Sequence, residues 1–181
     1  NQLVMADLVA QIASLHKNKA EVMLVTSGAV AAGRAIVGDF PETRDLPQRQ
    51  MLAAVGQGRL MHVYERLFSI HNIPVGQALL SRRDLSDRLG YLNVRNTLMG
   101  LLHSRIIPVI NENDVVAVEE LEGDVFGDND TLSAMVANLV DADLLVLLGE
   151  VSGLHTADPH NDPNAQLIPV VEHIDEGLEF Y

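Results

Sequence analysis

The feature that most constrains this chain is the alternation of helical segments with short, continuously apolar strands. We predict helices at about residues 3–15, 29–38, 48–70, 86–103 and 128–140, and strands at about 21–26, 74–80, 105–110, 144–148 and 167–171. Strands that are apolar along their whole length are typical of sheets buried on both faces. The pattern therefore predicts an α/β fold with a mostly parallel sheet covered by helices on both faces.

The composition excludes several classes of protein. The chain has 181 residues, which suits one domain with a sizeable core, and it has no cysteine for disulfides or thiolate chemistry. Its formal net charge of −13 disfavours binding to nucleic acid or to an anionic membrane surface. We find no apolar run of the roughly 20 residues that span a bilayer and no basic, apolar leader. We therefore expect a cytoplasmic protein.

Ligands of parallel α/β sheets bind where the carboxyl ends of strands meet helix N-termini. That rule selects three places: residues 26–28, residues 111–114 and the loop after Leu148. In the first, the run VTSGAVAAG puts the Ser27 hydroxyl and free backbone N–H groups around one point, which would suit a carboxylate or a phosphate. A tight turn in which small residues only allow close packing explains the run equally well. No Walker lysine follows it.

The second place is the run INENDVV, in which polar residues directly follow a buried strand. Asp114 and Glu112 could accept hydrogen bonds from a substrate ammonium group, and Asn111 or Asn113 could hold a carboxylate. The alternative is a turn in which these side chains bond their own backbone.

The run FGDNDTLSA places Asp128, Asn129 and Asp130 where a helix is predicted to begin. Asp and Asn are ordinary helix caps, but three in a row exceed what one helix needs. Residues 112–130 hold eight carboxylates, part of which we interpret as a solvated acidic hairpin at about 115–126. Some of them could bind Mg2+, which proteins hold through one or two carboxylates together with phosphates.

The loop after Leu148, LLGEVSGLHTADP, carries Gly149 and Gly153, and Asp158 with Pro159 is predicted to fix a turn there. A nucleotide or a plain surface loop both fit this pattern. The seven histidines show no metal-ligand spacing, so we predict no metal site formed by protein residues alone.

Read together, these segments resemble the glutamate 5-kinases, a branch of the amino-acid kinase family. The matching runs, in chain order from about residue 21 to 159, are VTSGAVAAG, LAAVGQGRL, FSIHNIPVGQALLSR, YLNVRNTL, IIPVINENDVV, FGDNDTLSA and GLHTADP. The resemblance implies a three-layer α/β/α sandwich that transfers the γ-phosphoryl group of ATP, with Mg2+, to the side-chain carboxylate of L-glutamate. That reaction is the first step of proline biosynthesis.

The resemblance also implies roles for individual residues. By position, Ser27, Gly28, Asp114 and Asn129 match the glutamate-binding residues, and Asp130 matches an acid at the phosphoryl-transfer centre. A further pair, Gly149 and Glu150, falls where the family has Thr-Asp at the adenine nucleotide. Members of the family are commonly homo-oligomers that proline inhibits, and we expect the same partners here.

The family's two phosphate-contacting lysines have no counterpart in the sequence, whose only lysines are Lys17 and Lys19. We therefore expect residues 1–181 to form one amino-acid kinase domain that is incomplete at both ends, without the PUA domain that many members append. Such a piece is expected to have weak activity or none.

Three alternatives compete with this reading. One is a kinase for another small acid, such as aspartate or acetylglutamate. Another is a non-catalytic module that binds an amino acid for regulation, which the missing lysines favour. A dinucleotide-binding domain is disfavoured, because the GxGxxG pattern and its following ribose acid are absent.

Overall fold

The computed structural model describes residues 2–38, 45–116 and 129–173, and the chain divides into two compact units after Leu145. The helices and strands of the described residues all belong to the first unit. In chain order they are α1 (Gln2–Lys17), β1 (Leu24–Val25), α2 (Ala29–Val37), α3 (Leu46–Ser69), β2 (Val75–Leu80), α4 (Arg82–Ser86), α5 (Arg88–His103), β3 (Ile107–Glu112) and α6 (Asn129–Leu139).

The three strands form a parallel sheet in the order β1-β3-β2. Val25 of β1 pairs with Ile110 of the central strand, and Leu80 of β2 pairs with Glu112. The ladder continues past β1, because the Thr26 amide donates to the Ile110 carbonyl at 2.8 Å. All three strands therefore end at one edge of the sheet, which we call the carboxyl edge.

Helices cover both faces of this sheet. Successive side chains of a strand point to opposite faces, so the central strand contributes to two cores. Val109 of β3 belongs to a core with Ile12 of α1 and Phe68 of α3. The next residue, Ile110, belongs to a second core, with Leu98 of α5 and Val136 of α6. The predicted three-layer α/β/α sandwich with a parallel central sheet is confirmed.

Helices α2 and α3 pack at an unusually close distance through two glycines. A Cβ atom on Gly56 would lie 1.9 Å from the carbonyl oxygen of Ala29, and one on Gly33 would lie 1.9 Å from that of Leu52. Contacts this short exclude any side chain at either position. The small-residue run of α2 therefore sets the distance between the two helices and brings α3 against the first turn of α2.

Two predicted strands are wrong. Residues 144–148 pair with no other described segment, and Leu144 and Leu148 are 77% and 72% exposed. Of residues 167–171, only Leu167 forms a bridge, to His155. An apolar run indicates a preference for burial, but a strand also needs a neighbouring backbone for its hydrogen bonds. No described segment provides one for residues 144–148, and residues 154–156 pair only with residues 166–168.

Two predicted loops fall largely on residues that the structure does not describe. Residues 39–44 of the polar loop and 117–126 of the acidic hairpin lie outside the described ranges. None of the described helices combines the length and the apolar character that crossing a membrane requires.

Candidate functional site

The carboxyl edge brings together two of the segments that the sequence singles out. Val25 and Ile110 are paired neighbours, so the next residues along the two strands, Thr26 and Asn111, lie side by side. Ser27 directly follows one strand, and the loop to Asp114 follows the other. The predicted meeting of these segments is therefore found in the structure.

The turn at Ser27 and Gly28 leads directly into α2. Gly28 adopts φ 102°, a left-handed conformation that favours glycine, and no side chain caps the helix. The first amides of an α-helix have no partner within it, and the helix dipole places partial positive charge at that end. Both Ser27 and Gly28 are exposed, so this end of α2 can receive an anionic group from solvent.

Thr26, which precedes this turn, is hydrogen-bonded to a residue of α3. Its hydroxyl forms a 2.8 Å hydrogen bond with the Tyr64 hydroxyl, and both residues are buried. Burial raises the pKa of Tyr64, and the hydrogen bond with Thr26 partly opposes that rise. The pair fixes the base of the Ser27 turn.

Asn111 is held by α3 in the same way. This residue is 3% exposed, and its Nδ2 donates to Oε1 of Gln57 at 2.8 Å. The Nε2 group of Gln57 is buried and has no hydrogen-bond partner within the part of the chain that the structure describes. A buried amide donor of this kind is costly unless it is satisfied.

The loop after β3 folds back on the neighbouring strand. The Asn113 amide donates to the Leu80 carbonyl at 2.8 Å, and the Val116 amide donates to the Asn113 carbonyl at 3.0 Å. Asp114 and Glu112 are half-buried, and each takes part in a polar interaction. The loop is therefore a structured turn beside the carboxyl edge, and the substrate roles of its side chains stay predictions.

Helix α6 begins at Asn129 and packs against β1 and β3. Asn129 is half-buried, and its Oδ1 is buried without a hydrogen-bond partner among the described residues. Asp130, in the first turn, is exposed and takes part in a polar interaction. Asp128 lies outside the described residues, so its predicted capping role stays a prediction, as do the roles of the other two.

Gly149 and Glu150 belong to the second unit and are both exposed. That unit contains the predicted turn at Asp158, whose carboxylate accepts from the His160 amide at 2.9 Å. A short pairing holds its loop, with the Thr156 amide donating to the Gln166 carbonyl at 2.9 Å. The nucleotide role of Gly149 and Glu150 stays a prediction.

Comparison with known proteins decides the family of this architecture. The model of the amino acid kinase family matches residues 1–179. The chain belongs to the amino acid kinase family. Curated relatives agree at the level of sequence: glutamate 5-kinases of Dehalococcoides mccartyi, Herpetosiphon aurantiacus and Photorhabdus laumondii are 55%, 54% and 51% identical to it.

These alignments cover 97%, 96% and 98% of the present chain but 47%, 46% and 48% of the three relatives. The chain thus spans about half the length of the curated relatives that it matches. Its described residues contain the three-stranded sheet and the carboxyl edge described above.

The sequence pattern selects Thr26 within residues 26–28, but two residues of α3 that hold this edge, Gln57 and Tyr64, were not predicted. The signal for Gln57 was its position, because it shares the buried stripe of α3 with Ala53, Leu60 and Tyr64 at helical spacing. A polar amide in an apolar stripe requires a polar partner, and Asn111 at the end of β3 is that partner.

The described residues contain no group of three His, Asp or Glu side chains that could hold a metal ion. Glu112, Asp114 and Asp130 are the carboxylates of the described site segments. These carboxylates suit an ion whose other ligands come from a bound phosphate compound, which is how proteins usually hold Mg2+.

Proposed function

We propose that this chain is the glutamate-binding part of an enzyme that phosphorylates the γ-carboxylate of L-glutamate with ATP. A γ-carboxylate oxygen attacks the γ-phosphorus, the bond to the bridging oxygen of ADP breaks, and γ-glutamyl phosphate and ADP are formed. This is the first step of proline biosynthesis. The names of the relatives support the substrate, and the family supports the reaction.

One observation carries the proposal: two polar segments end neighbouring parallel strands beside the uncapped N-terminus of α2. Glutamate has two carboxylates and one ammonium group. The amides of the Ser27–Gly28 turn suit a carboxylate, and Asp114 suits the ammonium. Asn129 would contact the substrate from the start of α6. These four residues are the proposed glutamate site.

Phosphoryl transfer to a carboxylate needs no covalent intermediate with the protein. A carboxylate is already a nucleophile, so the protein must position it and offset the charge of the transferring phosphoryl group. We assign Asp130 to this centre, where its carboxylate would organise the cationic groups. We assign Gly149 and Glu150 to the adenine nucleotide.

Mg2+ fits the carboxylate of Asp130 only as an ion that ATP brings with it, because the described residues lack a complete set of ligands. When bound, it would neutralise charge on the phosphates. We further propose a cytoplasmic homo-oligomer that proline inhibits.

The test is to incubate the chain with ATP, Mg2+, L-glutamate and hydroxylamine, which converts an acyl phosphate into a coloured hydroxamate. We expect weak formation of hydroxamate that depends on glutamate and that exceeds the product from aspartate or N-acetylglutamate. Asp130→Asn should abolish product while retaining glutamate binding. Equal or greater product from the other two acids would contradict the assignment of glutamate.

A second candidate is a non-catalytic amino-acid-binding module. It is favoured by the position of Lys17 and Lys19, both exposed at the end of α1 and before β1, away from the carboxyl edge. Neither can offset charge at Ser27. A folded chain that binds glutamate and forms no hydroxamate would favour this candidate over the kinase.

A further inference from the structure

Gln57 is next to both of the segments proposed above to bind glutamate, one through its side chain and the other through the residue before it. Its Oε1 accepts from Asn111 at the end of β3. Its neighbour Gly56 lies against the Ala29 carbonyl, in the first turn of α2. Helix α3 therefore carries Gln57 to the boundary between the Ser27–Gly28 turn and the loop that follows Asn111.

The direction of α3 places Gln57 closer to the carboxyl edge of the sheet than Tyr64. Phe68, near the end of α3, shares a core with Ile107 at the start of β3, whereas Gln57 contacts Asn111 near the end of β3. The helix thus runs opposite to the strands. Along the axis of α3, Gln57 lies about 10 Å closer to the N-terminus of the helix than Tyr64 does, given a rise of about 1.5 Å per residue.

The two atoms of the Gln57 amide are in different situations. Oε1 is occupied by the donor from Asn111, which fixes the orientation of the amide. Nε2 is buried with no partner among the described residues. Burying an amide N–H group without a partner costs about 1–3 kcal/mol. A carboxylate that entered the site would supply the missing acceptor through a charge-assisted hydrogen bond.

We propose that Gln57 is a substrate-binding residue whose Nε2 donates a hydrogen bond to a carboxylate of the amino-acid substrate. This inference rests on the proposed function and deepens it, because it names a donor that selects acids over their amides. An amide in place of that carboxylate offers Nε2 only a neutral carbonyl oxygen, whose hydrogen bond is weaker than the charge-assisted one to a carboxylate. Asn111 acts through Gln57 as a positioning residue, because it fixes which end of the amide faces the ligand.

The test compares ligand binding to the wild-type chain and to two variants by isothermal titration calorimetry. Gln57→Glu keeps an oxygen for Asn111 and replaces the donor with a second oxygen. Gln57→Met removes both polar atoms at similar volume, so that one variant remains if the other fails to fold. Gln11→Met, on an exposed position of α1, is the matched control. The ligands are L-glutamate, L-glutamine, which lacks the γ-carboxylate, and isoglutamine, which lacks the α-carboxylate.

We expect both Gln57 variants to bind L-glutamate about ten- to a hundredfold more weakly than the wild type, and Gln11→Met to bind it equally well. In Gln57→Glu, the preference for glutamate over one of the two amides should fall by a similar factor, because the new oxygen accepts from an amide and repels a carboxylate. The amide that shows this change identifies the carboxylate that Gln57 contacts.

Two outcomes overturn the inference while glutamate binding by the wild type stands. One is affinity for glutamate within about twofold of the wild type in both variants. The other is equal weakening of all three ligands by Gln57→Glu, which would mean that Gln57 only supports the site. If the wild-type chain does not bind glutamate, the proposed glutamate site fails, and the role of Gln57 fails with it.

Discussion

At the scale of single residues, the hydrogen bond between Thr26 and Tyr64 supports the Ser27–Gly28 turn from within the core. Tyr64→Phe removes one buried partner at constant shape, so we expect a loss of about 1 kcal/mol in the free energy of unfolding. Because Thr26 precedes Ser27, glutamate binding should weaken as well. Urea denaturation and calorimetry measure the two effects. Tyr91→Phe, in the opposite helical layer, should leave glutamate affinity unchanged.

The same pair predicts how stability depends on alkaline pH. Burial raises the pKa of Tyr64 above its usual value of 10.0, so the folded state holds this proton more tightly than the unfolded state does. Its contribution to stability is complete below about pH 10 and is lost as the pH rises through the folded-state pKa. Urea midpoints measured at about pH 9 and pH 11 should therefore fall less in Tyr64→Phe than in the wild type. An identical fall in both proteins would contradict this account.

At the scale of secondary-structure elements, the contact between α2 and α3 depends on two glycines. Gly56→Ala would place a methyl group 1.9 Å from the Ala29 carbonyl oxygen, and backbone atoms cannot rotate away. We expect a loss of at least about 2 kcal/mol in the free energy of unfolding, since overpacking costs 1–3 kcal/mol or more.

The control for this prediction is Gly58→Ala, on the same helix, where an added Cβ meets nothing within 4 Å. It should be neutral or should stabilise the chain by up to about 1 kcal/mol, because alanine favours helix over glycine. Thermal unfolding of the two variants measures the contrast. Equal stability of Gly56→Ala and Gly58→Ala would show that the helices are not held at this distance.

The start of α4 offers another prediction for an element. The Ser81 hydroxyl and amide both donate to the Asp84 carboxylate, at 2.7 and 2.8 Å, which lowers the pKa of Asp84. Ser81→Ala should cost about 1 kcal/mol, as loss of an N-cap usually does, and Ser81→Thr should retain most of the stability. A lowered pKa means that this contribution is present at neutral pH and is lost as the pH falls through the folded-state value. Urea midpoints at neutral and acid pH test both statements.

The elements also show what a sequence can predict. Helix α3 was expected at 48–70 and spans Leu46–Ser69, because an apolar stripe over six turns leaves little choice of structure. The apolar run 144–148 was misread, because burial and strand pairing depend on partners elsewhere in the chain. Helix α4 was not predicted, since five residues hold too little periodicity to detect and depend on the cap at Ser81.

At the scale of the whole molecule, the class of fold and the meeting of the Ser27 and INEND segments followed from the sequence, because parallel strands end at the same edge of a sheet. Ser27 and the INEND segment were predicted for that reason. Gln57 and Tyr64 were not, because both come from the middle of a helix. Their role depends on strand order and register, which place Thr26 and Asn111 beneath α3.

The most direct test of the central claim is to titrate isotope-labelled chain with L-glutamate and to map amide shifts by nuclear magnetic resonance. The account predicts saturable shifts concentrated at Ser27–Ala29, at Asn111–Asp114 and at Asn129 and Asp130, with the Gln57 side-chain amide among them. Shifts that are absent from all of these positions, or that cluster elsewhere on the chain, would contradict a glutamate site at the carboxyl edge.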